Sequence, residues 1–300
     1  MSDVAELAEL DAFYEAELRP WLMGFEKKRR LFLAIAVGGI LLAALPVAGL
    51  IWLGWPEYVL FISFVTFVAA IAPLIFLGKK IEKELLARIC EKLDFALDPK
   101  AGTMSIQPFS SLSLVPSYDT CSLDNAIQGK IDEVPFELCE SHLQEQRRNS
   151  KGRTYYVTVF QGLVGSAQFP KRFHGTTIVR RDGGFLASFF SSGKGDRVKL
   201  EDPDFEKRFD VFSDDQVEAR YLLTPGFMER VKRLDDLSDG AARLAFQGGK
   251  LLFAIGGGDR FTVSLFKNMG EIAHFRRMMA DFALIFGIVR ELNLAAKTRL

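Results

Sequence analysis

Two uncharged runs, five residues apart, constrain this chain more than any other feature. Residues 31–53 (LFLAIAVGGILLAALPVAGLIWL) are 23 positions without a charge, and residues 59–77 (VLFISFVTFVAAIAPLIFL) are 19 more. As a helix the first would be about 35 Å long at about 1.5 Å per residue, enough for a bilayer core of about 30 Å. Backbone facing lipid must satisfy its own hydrogen bonds, so both runs are expected to be helices, kinked at Pro46 and Pro73. Lys27, Lys28, Arg29 and Arg30 precede the first run, and Lys79, Lys80 and Lys83 follow the second, while the intervening GWPEY carries only Glu57. Basic flanks stay on the cytoplasmic side, so both termini are expected there, with Trp52, Trp55 and Tyr58 at the far interface. A signal peptide fits poorly, because about thirty residues rich in acids come first and a second run follows at once. Two adjacent long runs with matched basic flanks also fit a buried soluble hairpin poorly.

Neither run holds an ionisable residue, which argues against a transport pathway or a pore. Ala34 with Gly38, and Gly39 with Ala43, are small pairs four apart that permit close helix contact. They suit packing between the two spans or association of copies.

The flanking segments read as helices. In residues 1–30, Val4, Leu7, Leu10, Tyr14 and Leu18 recur at helical steps among acids, and Pro20 is expected to end or kink the helix. Those acids disfavour contact with negative lipid headgroups and suit docking on the rest of the protein. Residues 78–95 continue helically, with Ile81, Leu85, Ile89 and Leu93 as a seam, so a stalk is expected to follow the second span. The proline- and serine-rich residues 98–120 read as a loop.

From about Ser122 the period changes to two. AIQGKID and VPFELCESHLQEQ flank an Asp132-Glu133 turn. TYYVTVFQGLVGSAQFP follows, then TTIVRRDGGFLASFF turning at Asp182-Gly183-Gly184, then a hairpin with Gly248-Gly249 at its tip. A helix is expected from Pro225, behind Thr224, to about Leu237. Another is expected from Asn268, whose spacing to Glu271 is a capping-box pattern, and it is buried from Met278 to Val289. Residues 96–300 therefore read as an α+β domain: a mainly antiparallel sheet of six to eight strands with two or three helices.

Net charge is zero, with 38 bases against 38 acids, which disfavours nucleic acid as a partner. The three cysteines, Cys90, Cys121 and Cys139, form no CxxC pair and point to a reducing compartment. No phosphate-binding or nucleophile-elbow motif occurs. Cys139 and His142 fall on opposite faces of one strand, so no metal or other cofactor is expected. The densest polar stretch, FEKRFDVFSDDQVEARYLLTPGFMERV, contributes Glu206, Asp210, Asp215, Glu218 and Arg220. With Asp204 just upstream, these form the one candidate polar cluster. Its alternation reads as a strand, an acidic turn at residues 213–215 and a second strand. Glu218 and Arg220 would then share a face, and an internal acid–Arg pair fixing register is preferred to paired-acid hydrolysis.

That stretch, extended to LEDPDFEKRFDVFSDDQVEARYLLTPGFMERV, resembles the signature of the domain-of-unknown-function 3137 family. So does VFQGLVGSAQFPKRFHGTTIV, with its Phe-x-Gly-Thr-Thr step at residues 173–177. The resemblance implies a bacterial protein of the inner membrane, with a helix, two close spans and this domain, and implies no catalytic residues. The expected function is a membrane-anchored, cytoplasmic binding or scaffolding module whose partners are the lipid bilayer and a protein or a second copy. The alternatives are a hydrolase using acids of residues 202–218 and, less in keeping with the uncharged spans, an oligomeric pore subunit.

Overall fold

The structure, a computed structural model, describes residues 11–53, 58–102, 104–168, 173–181, 195–237, 240–258 and 261, with single positions between 276 and 290. The expectations for residues 1–10, the 54–57 turn, the Asp182–Gly184 turn and the Asn268 cap lie outside these. The chain divides into two units, Met1–Ile89 with Phe261–Ala280, and Cys90–Arg260 with Asp281–Leu300.

The first unit is built on two long helices. Helix α1 (Arg19–Leu53) continues from a π-helical turn at Tyr14–Leu18, and α2 spans Val59–Lys92. Of the two outcomes expected at Pro20, an end or a kink, the first does not occur, and the helix continues through it. A proline cannot donate the bond of its own turn, and the chain meets Pro20 through the wider turn, in which the Arg19 N–H bonds to the Tyr14 carbonyl. Helix α2 runs unbroken past Gly78 to Lys92.

The two helices meet along a stripe of small residues. Ala36, Ala43, Ser63 and Ala70 are buried, and the Ser63 hydroxyl donates to the Ala43 carbonyl at 2.5 Å. A Cβ added at Gly39 would lie 2.1 Å from the Ala70 Cβ, so the close approach there requires glycine. The Gly39–Ala43 pair thus serves packing within the chain, whereas Ala34 and Gly38 face outward. Outside the stripe the helices expose large apolar side chains, among them Leu41 at 65%, Phe64 at 63% and Phe76 at 77%.

Among the described residues the second unit is a nine-stranded sheet paired antiparallel throughout: β1 (Ala96–Asp98), β2 (Thr120–Ile131), β3 (Val134–Arg148), β4 (Thr154–Gln168), β5 (Thr177–Arg181), β6 (Asp196–Arg197), β7 (Phe209–Ser213), β8 (Ala242–Gln247) and β9 (Lys250–Gly256). Their order is β1-β2-β3-β4-β9-β8-β5-β7-β6. The sheet exceeds the expected six to eight strands by one, and its short edges are β1 and β6. Two of the three anticipated turns fall among the described residues, and both are present. Asp132 and Glu133 take positive φ at 47° and 68°, and Gly248 and Gly249 at 59° and 75°, as two-residue hairpin turns demand.

Side-chain alternation gives the sheet two faces, and both are covered. On one, the segment of residues 101–118 lays Phe109, Leu112 and Leu114 over Cys139, Val164 and Leu252. This segment is not a plain loop: helix α3 (Gln107–Ser111) forms within it, with Pro108 at its start. On the other face, Phe227 stacks near Phe246 at 5.4 Å, and Phe286 meets Phe95 and Phe136 at 5.5 and 5.9 Å. The sheet is therefore apolar on both sides, which explains why β9 is buried at six consecutive positions.

The acid-rich stretch departs most from expectation. Only Phe209–Ser213 is a strand. Helix α4 (Pro203–Arg208) precedes it, helix α5 (Gln216–Leu222) replaces the expected second strand, and α6 (Pro225–Leu237) follows. Capping overrides the alternation. Asp202 caps α4 ahead of Pro203, accepting from the N–H groups of Asp204 and Phe205, and Asp215 caps α5, accepting from those of Val217 and Glu218. The domain accordingly has more helices than the two or three anticipated.

Candidate functional site

The charged residues of 202–220 do not converge on a cleft. Each is engaged locally, mostly with backbone. Asp204 pairs with Lys207 at 3.4 Å, and Glu206 accepts from the Leu200 N–H at 2.7 Å. Asp210 pairs with Arg197 at 2.9 Å, while Asp215 is spent on its helix cap. Glu218 and Arg220 share no strand face, because a helix carries both, and the acid–Arg pair that joins strands here is Asp210 of β7 with Arg197 of β6. Arg220 instead donates to the Lys199 carbonyl and to Gln216, each at 3.3 Å.

Glu218 and Asp214 form the tightest arrangement of the region. Glu218 accepts from the N–H groups of His174 and Gly175 at 3.1 and 2.8 Å, and Asp214 accepts from that of Thr176 at 2.6 Å. Three successive backbone donors are thus held by two carboxylates from the start of α5. Gly175 is required for this approach: a Cβ there would lie 2.5 Å from Asp214 Oδ1 and 2.9 Å from Glu218 Oε2. Phe173 anchors one end, buried against Phe246 at 5.9 Å. The Thr177 hydroxyl anchors the other, 2.9 Å from that of Ser213. The Phe-x-Gly-Thr-Thr step and the acid-rich stretch, distant in sequence, are two halves of one clamp.

Asp202 has a second partner in Lys232 Nζ at 3.1 Å. The Phe205 N–H bond, ahead of that ion pair, holds its carboxyl below the ordinary value. Elsewhere burial pushes the Cys90 and Cys139 thiols up to about 12. Cys139 lies on the sheet face covered by Phe109, Leu112 and Leu114, and His142 lies on the opposite face with its ring 2.9 Å from the Thr158 hydroxyl. No metal-holding group of His, Cys, Asp or Glu occurs among the described residues.

Two features escaped the sequence reading. One is an arm at the tip of β3 and β4. Every residue from 146 to 156 is exposed, and Arg147 and Arg148 of β3 pair with Tyr155 and Thr154 of β4 and, among the described residues, with no third strand. The Asn149 side chain closes the tip, accepting from the N–H groups of Lys151 and Arg153 at 3.0 and 2.9 Å, with Gly152 at φ 75°. The arm presents Arg147, Arg148, Lys151 and Arg153 beside Tyr155 and Tyr156, against the single carboxylate of Glu145, which Arg147 engages at 2.8 Å. The signal was present in RRNSKGRTYY, but the period-two reading absorbed it into a strand.

The other is Glu26, buried just ahead of the first apolar run. It accepts from Arg29 at 2.8 and 2.7 Å and from Arg30 at 2.8 Å. Of the basic flank, then, Arg29 and Arg30 are tied to Glu26, and Lys80 lies 3.8 Å from Glu84. Lys27, Lys28, Lys79 and Lys83 remain exposed. In the second unit, a groove of about 470 Å³ has a mixed lining that includes Pro135 and Phe136 beside Lys130, Glu137, Ser166 and Lys250. Ser166 donates to Glu137 at 3.0 Å across it.

Comparison with known proteins gives one family and one distant structural likeness. No curated protein matches the chain. The crystal structure of the mycobacterial trehalose monomycolate transport factor A is similar over 68% of this chain and 92% of that one, at 10% identity and a TM-score of 0.36, a likeness too slight to bear on role. Residues 158–294 match the family described as "Protein of unknown function (DUF3137)", a span that includes both halves of the Gly175 clamp. This match over residues 158–294 supports the family resemblance carried by the motifs of residues 159–179 and 200–231.

Proposed function

We propose that this protein is a membrane-anchored binding module: helices α1 and α2 cross a bacterial inner membrane as a hairpin, and the sheet domain recruits an acidic partner protein on the cytoplasmic side. The observation that carries the reading is the exposure of large apolar side chains along both helices. Within the apolar windows of these helices only 11% and 17% of residues are buried, unlike the core helix of a soluble domain. A continuous exposed apolar surface of that extent in water would drive association or insertion. The basic residues at both outer ends favour an orientation with both termini in the cytoplasm.

Two features support binding over hydrolysis in the sheet domain. The acids of 202–218 that paired-carboxylate chemistry would use are bound to backbone N–H groups or to basic side chains. The 146–156 arm, by contrast, offers cations and tyrosines, a composition suited to an acidic protein surface.

The test is photocrosslinking in the membrane-embedded full chain. A crosslinking amino acid at Tyr156 should give a reproducible adduct with one acidic protein, and one at Val217, which is even more exposed, should not. Arg147→Glu with Arg148→Glu should abolish the adduct. Absence of any adduct at Tyr156 that the charge reversal removes would reject the arm as the recruiting surface.

A further inference from the structure

The two helices enclose a groove that the anchoring role alone does not use. It measures about 530 Å³ and lies where the basic flanks meet the apolar runs. Its walls are apolar, from Phe32, Pro73, Phe76 and Leu77, and its lining carries two cations, Lys28 and Lys80, with no carboxylate. The antiparallel pairing that sets Gly39 against Ala70 and Ala43 against Ser63 also brings Lys28 level with Lys80. Lys28 lies three residues before the first uncharged run and Lys80 three residues after the second, so both occupy one boundary of the apolar zone.

The charges at the groove are free to act on a ligand. Glu26, the acid nearest Lys28 in sequence, is occupied by Arg29 and Arg30. Lys28 has no carboxylate partner among the described residues, and Lys80 is held only loosely, 3.8 Å from an exposed Glu84. The volume falls within the roughly 300–1,000 Å³ typical of ligand sites. A slot with greasy walls and two ammonium groups matches a molecule with a long hydrocarbon chain and a single negative headgroup.

We propose that this groove is a binding site for one anionic phospholipid, with its phosphate between Lys28 and Lys80 and one acyl chain along Phe32 and Phe76. The proposal rests on the membrane reading above and adds to it a defined site in place of a diffuse attraction. An ammonium pair attracts a phosphodiester, and a quaternary ammonium in the same headgroup offsets that attraction. The selectivity is therefore for charge, with the acyl chain supplying residence.

The test uses the full chain purified in a mild non-ionic detergent, with lipid adducts counted by native mass spectrometry. Phosphatidylglycerol should give one retained adduct, and phosphatidylcholine of the same chain length should give at least fivefold less. The Lys28→Gln, Lys80→Gln double variant should lose the phosphatidylglycerol adduct at least fivefold. Lys79→Gln with Lys83→Gln, equal in charge but outside the groove, should stay within twofold of the parent. Soluble glycerophosphate at the lipid concentration should not compete. Equal loss in both double variants, no preference between the two lipids, or competition by glycerophosphate would overturn the site. Carbonate extraction of the same membranes separates the two readings. A chain released to the supernatant refutes membrane insertion, whereas one that stays in the pellet without lipid preference refutes the groove alone.

Discussion

Replacing Glu218 with alanine should open the loop of residues 173–177 without unfolding the domain. The carboxylate accepts two backbone N–H bonds, from His174 at 3.1 Å in an exposed setting and from Gly175 at 2.8 Å in a partly buried one. A hydrogen bond to a charged group is worth about 1.5–3 kcal/mol net, and water replaces an exposed one cheaply. Only the Gly175 bond should therefore count in full, so the expected cost is about 2 kcal/mol. At about 1.4 kcal/mol per tenfold, the local opening equilibrium of the 174–176 amides should rise roughly thirtyfold in hydrogen exchange. Glu218→Gln keeps one accepting oxygen and should show about half the free-energy change. Gly175→Ala should open the same amides, because its Cβ would meet Asp214 Oδ1 at 2.5 Å. Glu201→Ala, at an exposed position, is the control and should change nothing. Unchanged exchange at 174–176 in Glu218→Ala would refute the clamp, and with it the claim that these acids serve the fold.

Three further outcomes are expected. Gly39→Val should destabilise the helix pair by about 1–3 kcal/mol through overpacking, read as a lower melting temperature in detergent, while Gly38→Val, with nothing within 4 Å, should not. Asp202→Ala should cost about 1 kcal/mol at neutral pH as a lost cap. Because the folded pKa of Asp202 is lowered, its contribution is complete above its ordinary value and is lost as pH falls through the lower folded value, so the difference from the parent should vanish in acid denaturation. Maleimide at neutral pH should modify exposed Cys121 in the native protein, and Cys90 and Cys139 only after unfolding, since thiols pushed up to about 12 hold almost no thiolate there.

The long-range features were legible because they rest on strong periodicities. Two uncharged runs gave the helices, alternation gave the central strands, and Asp132-Glu133 and Gly248-Gly249 gave the hairpins. The 202–223 stretch was misread because period-two alternation was weighed above capping. Asp202-Pro203 and the Asp215-x-x-Glu218 spacing are helix-start signals, and they override alternation in segments this short. The clamp could not be read at all. It joins residues about forty positions apart, and only the packing of β5 beside β7 brings the Gly175 amide to the Glu218 carboxylate. The arm was hidden for a related reason, since a strand that leaves its sheet has the same local pattern as one inside it.

The central claim, a hairpin spanning the membrane with both ends on one side, is tested most directly by single-cysteine accessibility in intact cells. In a Cys90→Ser, Cys121→Ser, Cys139→Ser background, a membrane-impermeant maleimide should label Glu57→Cys from outside. It should label Lys27→Cys, Lys83→Cys and Lys151→Cys only after lysis. Labelling of Lys151→Cys in intact cells, or protection of Glu57→Cys until lysis, would contradict the account.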